Sequence, residues 1–171
     1  MPTEALVYLN KATVTSSGSN LTFTSISGSY KTLLCVFNGA NNASANSVLY
    51  ARFNNNSGSV YTYIGAYGTN SPSATAEYNG SFNANSPVAY AWLGRVIGNS
   101  NSNSRSMCTL YVNQYANGSY GKTWQSLSYG PNAVGKWAGA FNSTTAITRL
   151  DFISDNGFVA GTTATLYGMS A

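Results

Sequence analysis

The sequence predicts an all-β protein: a jelly-roll-like antiparallel β-sandwich with little or no helix. Three observations carry this. Clusters of Gly, Asn, Ser and Pro recur at short intervals, as in SSGSN, NNNSGS, GTNSPS and DNG. The runs between them alternate apolar and polar residues with a period of two, the pattern of short sandwich strands. No segment sustains apolar residues at i, i+3, i+4 and i+7, so helix-forming stripes are missing.

The alternation places strands near 5–9, 12–15, 21–26, 31–38, 47–53, 59–67, 88–97, 106–115, 120–129, 133–140, 146–154 and 163–170. The first nine residues read as an N-terminal arm or an extra strand, and residues 10–171 as a single domain. In VYTYIGAYG, Val60, Thr62, Ile64 and Ala66 share one side, and Tyr61, Tyr63 and Tyr67 share the other. In MCTLYVNQY, Cys108, Leu110 and Val112 face one way, and Tyr111 and Tyr115 the opposite way. Leu150 and Phe152 alternate with Arg149 and Asp151, which read as an ion pair on one face. A slip of one residue would turn each of these sets inside out, so the pattern fixes strand pairing.

The carboxyl end, DNGFVAGTTATLYGMSA, is apolar and aromatic. A free terminus is normally polar and frayed unless something ties it down. The segment therefore reads as a closing sheet strand with Leu166 facing the core and Gly168 admitting a close neighbour. Asp155-Asn156-Gly157 reads as a tight turn in which Asp155 bonds its own backbone. The long Asn- and Ser-rich loops at 38–47, 68–87 and 98–105 are of the length that usually carries function or mobility. NSNSNSRS within the last of them is a low-complexity run.

Composition narrows the function. The chain of 171 residues is 43% hydrophobic but only 7% charged, so Asn, Ser, Thr and Gly must keep its surface wet. Such a surface suits a protein held in an assembly. The eight basic residues are scattered, which lacks the patch that nucleic-acid binding needs. No stretch approaches the roughly 20 apolar residues of a membrane span, and MPTEALVYLNKATV has no secretory-signal pattern. Neither nucleic acid nor a membrane is expected as a partner. Cys35 and Cys108 lie in apolar runs and read as free buried thiols, with a disulfide between adjacent strands as the alternative.

The chain has no histidine, which removes Ser-His-Asp and Cys-His catalysis and most zinc sites. Its acids are Glu4, Glu77, Asp151 and Asp155. A glycosidase needs two carboxylates converging on one bond, and a turn residue beside a strand residue does not promise that. Asp155 and Asn156 with backbone carbonyls offer thin charge for calcium. We therefore expect no enzyme activity, no catalytic residue, no metal and no cofactor. Asn20-Leu-Thr and Asn142-Ser-Thr arise by chance in so Asn-rich a chain.

Two blocks carry a resemblance: FTSISGSYKTLLCVFNGANNASANSVLYARFN with SGSVYTYIGAYG, and KWAGAFNSTTAITRLDFISDNGFVAGTTATLYGM. With the connecting VNQYANGSYGKT they resemble, over residues 10–170, a family of small virion proteins of tailed bacteriophages, whose domain ends in an AIT…aG…LYG block. The resemblance implies a jelly-roll-like sandwich and a structural or adhesive role on the virion, assembled after synthesis in the host cytoplasm.

Thirteen tyrosines among abundant Ser, Gly and Asn make the mix of an adaptable binding surface. Tyr61, Tyr63 and Tyr67 can face a neighbouring subunit, cover the second sheet, or stack on a sugar. Tyr111 and Tyr115 are further interface candidates. Leu6 and Tyr8 in EALVYL are candidates for the contact within a homo-oligomer, or for docking to phage coat or tail proteins. Trp92, Trp124 and Trp137 read as core and sheet-edge anchors. The expected role is a capsid decoration protein, with a tail-fibre or tail-tip adhesin for a host glycan as the alternative and a free lectin third. A closed homo-oligomer, a trimer among the options, would cover exposed sheet edges.

Overall fold

A computed structural model describes residues 5–69, 88–100, 104–130 and 133–170. Within them the protein is an antiparallel β-sandwich, as the sequence predicts, and no helix occurs. The strands are β1 (Leu6–Thr13), β2 (Leu21–Phe23), β3 (Thr32–Gly39), β4 (Ser47–Phe53), β5 (Tyr61–Thr69), β6 (Ala91–Val96), β7 (Ser106–Asn113), β8 (Lys122–Gly130), β9 (Ala133–Phe141), β10 (Leu150–Ile153) and β11 (Thr163–Met169). A seven-stranded sheet runs β1-β11-β3-β7-β8-β9-β5, and a four-stranded sheet runs β2-β10-β4-β6.

The alternation in the sequence becomes burial in the structure. Leu33, Cys35 and Phe37 of β3, Leu110 and Val112 of β7, and Ala164 and Leu166 of β11 all point inward and are buried. Phe37 stacks on Phe152 of the opposite sheet at 5.8 Å and meets Phe158 at 5.2 Å. At the other end of the sandwich, Phe53 of β4 packs on Tyr61 at 5.8 Å and on Phe141 at 5.4 Å. Each such ring removed from water contributes about 2–3 kcal/mol.

The closing strand is where the sequence puts it. β11 lies between β1 and β3 and pairs with both over its full length. Leu166 is buried, and a side-chain carbon on Gly168 would overlap the ring of Tyr30. Ser154 and Gly157 close the DNG turn through a 2.9 Å backbone bond, but the Asp155 carboxylate accepts from the Ser47 hydroxyl at 3.5 Å, not from its own backbone. The expected pair of Arg149 and Asp151 forms, at 2.8 Å, and the Thr22 hydroxyl donates to the same carboxylate at 2.7 Å. Both thiols are free and buried; Cys35 lies opposite Leu110 and Cys108 opposite Phe37, so they sit diagonally on neighbouring strands.

Three elements differ from the sequence expectation. Segments 5–9 and 12–15 are one strand, β1, whose register shifts between Tyr8 and Asn10. A bulge adds one residue and breaks the period-two pattern without ending the strand. β1 thus crosses the expected arm boundary at residue 9. The segment expected at 146–154 is a strand only from Leu150, because the Asn54 side chain takes the ladder's place: its oxygen accepts from Thr148 and Arg149 at 2.9 and 3.1 Å, and its amide donates to Ala146 at 2.8 Å. β2 ends at Phe23, two residues before Ser25 takes a left-handed φ of 55°. The expected loop 68–87 and the centre of NSNSNSRS lie largely outside the described residues.

Leu166→Ala tests the closing strand. The cavity it leaves among buried neighbours should cost about 3 kcal/mol, read as a lower urea midpoint. A midpoint unchanged from the parent protein would show that β11 does not hold the core together.

Candidate binding face on the seven-stranded sheet

Strand register determines which residues share the outer side of the large sheet. Reading across the pairings, Tyr8, Tyr167, Leu34, Tyr111, Gln125, Ala138 and Ile64 form one row, a residue from each strand. At about 4.8 Å between strands, the row is about 29 Å long. A neighbouring row runs Lys11, Thr165, Val36, Thr109, Leu127, Lys136 and Ala66, and a third carries Met107, Tyr129 and Val134.

This face is apolar for an exposed surface. Leu6, Tyr8, Ile64, Met107, Tyr129 and Val134, all among the large hydrophobic residues left exposed, stand on it. Ile64 is 62% and Tyr8 60% exposed. The described carboxylates, Asp151 and Asp155, belong to β10 and the turn after it, so among the described residues this face carries lysines but no acid.

The cause lies in β8. Its inward residues include Ser126 and Ser128, both buried, while Leu127 and Tyr129 point out. β6 of the opposite sheet comes so close here that a side-chain carbon on Gly94 would overlap the Ser128 hydroxyl. Ser126 donates to the Leu93 carbonyl across the sandwich at 3.1 Å, and Ser128 to Gly135 at 3.4 Å. Trp124 and Trp137 fill the interior beside them. Small polar residues therefore belong inside at these positions, and the larger apolar ones are left outside.

The face has two chemically different ends. At the β1–β11 end, Leu6 lies opposite Met169, and Tyr8 meets Tyr167 edge-to-face at 6.2 Å. At the other end, β7, β8, β9 and β5 form an open groove of about 660 Å³. Ile64, Met107, Leu127 and Ala138 supply its apolar lining; Thr109, Tyr111, Gln125, Tyr129 and Lys136 add polar groups.

The tyrosine candidates separate accordingly. Tyr61 is fully buried, with its hydroxyl donating to the Asn56 carbonyl at 3.0 Å and accepting from the Phe53 amide at 2.9 Å. Tyr63 is 5% exposed and packs on Trp92 and Trp137. Neither offers a ring to a sugar or a subunit; of the three readings open in the sequence, covering the second sheet is theirs. Tyr67 is half-buried, stacked on Trp137 at 6.3 Å with Arg95 over its ring at 5.4 Å. Tyr115 also lies inside, opposite to the side expected, because β7 ends at Asn113 and Gln114 turns the chain at a φ of 52°. Its hydroxyl bonds the Ser27 carbonyl. Tyr111 lines the groove, and Leu6 and Tyr8 stand exposed as candidates. Trp124 and Trp137 are core residues, and Trp92 is a half-buried anchor on the edge strand β6.

Gln125, Tyr129, Lys136, Ile64 and Met107 were not singled out from the sequence. The alternation in TWQSLSYG does show that Leu127 and Tyr129 oppose two serines, but it does not tell which side is inward. The described residues bring together no group of three metal-ligating side chains, and no helix is long and apolar enough to cross a membrane.

No protein-family model matches this chain, and no curated protein matches it. Among solved structures it is similar to the marine PL-14 alginate lyase from Aplysia kurodai, with 9% identity and a TM-score of 0.38 over 97% of this chain and 81% of that one. At this distance the likeness fixes neither fold nor chemistry.

Burial pushes the phenols of Tyr61 and Tyr63 up to about 12. The unfolded chain ionises these groups near 10, so above that pH the folded state binds more protons and stability falls as pH rises. The contribution is complete below pH 10 and is lost between roughly 10 and 12. Urea melts across that window should show a smaller loss for Tyr63→Phe than for the parent; equal losses would place Tyr63 in contact with solvent.

Proposed function

We propose that the protein is a non-enzymatic structural protein of a bacteriophage virion, a decoration protein displayed on the capsid. It docks through the β1–β11 end of the large sheet. The observation that carries the reading is the pair Leu6 and Tyr8, 55% and 60% exposed on an edge strand beside Tyr167 and Met169. Apolar and aromatic groups of this kind form the cores of protein interfaces. The resemblance of the FTSI and LYG blocks to tailed-phage virion proteins supplies the setting.

The docking partner under this reading is a phage coat protein. The contact would rest on shape and burial, with little from ion pairs, because Lys11 is the only charged outward residue in the described part of β1 and β11. A closed homo-oligomer adds avidity, since each copy tethered to its neighbours rebinds at high effective concentration. A trimer is the form to test first.

Two measurements test the reading on particles of the phage that encodes the chain. Immunogold labelling should mark the head. The double variant Leu6→Asp, Tyr8→Asp should lower the copies per particle about tenfold or more, the effect of losing buried anchor residues, while circular dichroism stays that of a β-sandwich. Label confined to the tail, or absent, overturns the decoration role; an unchanged copy number rules out the β1 contact.

A further inference from the structure

We infer that the groove across β7, β8, β9 and β5 binds a saccharide chain that carries carboxylates. The inference is separate from the docking reading, which uses the opposite end of the sheet.

The first support is unspent hydrogen-bonding capacity. Tyr111, Gln125, Tyr129 and Lys136 converge on the groove, and none makes a side-chain hydrogen bond or ion pair among the described residues. Register places Gln125 opposite Tyr111, and Lys136 opposite Leu127, between Gln125 and Tyr129 along β8. The groove of about 660 Å³ therefore sets an ammonium, an amide and two phenols around the apolar patch of Leu127 and Ala138. Apolar linings with a few placed polar groups are the usual make-up of a ligand site.

The chemistry of those groups selects the ligand. The backbones of β7, β8 and β9 beneath the groove are committed to ladders on both sides, and the edge strand β5 has its free side at the groove's border. A peptide lying across the groove therefore cannot be held by strand addition. Recognition must come from side chains. Phenol rings and aliphatic groups suit the C–H faces of sugar rings, and Gln125 and the phenols suit their hydroxyls. Lys136 adds a cation on a face that has no carboxylate among the described residues, which favours an anion. One ammonium in the groove is too little for a polyphosphate backbone, whose binding needs several cations. A hydroxyl-dense chain with carboxylates matches the whole set.

The test is calorimetric titration of the full chain with three probes: a galacturonic acid hexamer, maltohexaose and hexaglutamate. The acidic hexamer should bind about tenfold more tightly than maltohexaose, the ratio expected from one charge-assisted contact. Lys136→Gln should abolish that preference and leave maltohexaose binding as it was. Tyr129→Ala should weaken both sugars, and Leu6→Asp with Tyr8→Asp should weaken neither. Matching thermal midpoints show that the variants fold. Three results would each overturn the inference: no binding of the acidic hexamer, hexaglutamate binding as tightly as that sugar, or an acidic preference that survives Lys136→Gln.

Discussion

One ring holds the sandwich in register. Phe37 lies on β3, an interior strand of the large sheet, and touches Phe152 of the small sheet and Phe158 of the segment that feeds the closing strand. Two layers and the last loop are therefore fixed at a single point. With β3 fixed, β11 on one side and β7 on the other inherit their register through continuous ladders. Every outward residue then follows, since each inward one has an outward neighbour. Tyr167 stands beside Tyr8, and Tyr111 beside Gln125, because Phe37 points in.

The same constraint explains why the outer face is unusually apolar. A sandwich interior has a fixed thickness, and here it is filled by large rings: Trp124, Trp137, Tyr61, Tyr63, Phe53 and Phe141. Where β6 closes in at Gly94, little space is left for a side chain from β8. Ser126 and Ser128 fit, and their hydroxyls find carbonyl partners instead of remaining orphaned. The usual rule of apolar inside and polar outside is thus reversed locally. Departures of this kind from the binary pattern tend to coincide with functional surfaces. In β8 it creates the apolar lining of the groove.

Much of this fold was legible in the sequence because alternation and turn chemistry are local. The antiparallel sandwich, the closing strand, the inward Leu166, the close approach at Gly168, and the Arg149–Asp151 pair all follow from a few neighbouring residues. What escaped was set by single residues acting against the period. The bulge after Tyr8 splits one strand into two apparent ones, Asn54 replaces a ladder with its amide, and the turn at Gln114 sends Tyr115 inside. The candidate site was harder still. A tyrosine is equally at home against a core ring or in a binding groove, so the period-two pattern of VYTYIGAYG left the inward side of β5 undecided. Only the packing of Tyr61 and Tyr63 against Phe53, Trp92 and Trp137 decides it.

The scarcity of charge now has a structural sense. Two of the eight basic residues, Lys11 and Lys136, are on the outer face, in one row but five strand spacings apart. At about 4.8 Å per spacing they are separated by about 24 Å, well beyond the ~8 Å over which exposed charges act at physiological salt. Each therefore governs its own end. At the β1–β11 end, Lys11 borders a surface otherwise suited to dry protein contact. On an exposed edge strand a lysine also opposes unwanted strand pairing, so it can restrict which neighbour fits. At the other end, Lys136 sits among amide and phenol groups and turns an apolar patch into one that favours an anion. A single sheet can in this way offer two surfaces of different chemistry without any loop taking part, because its strands are rigid and its rows are long.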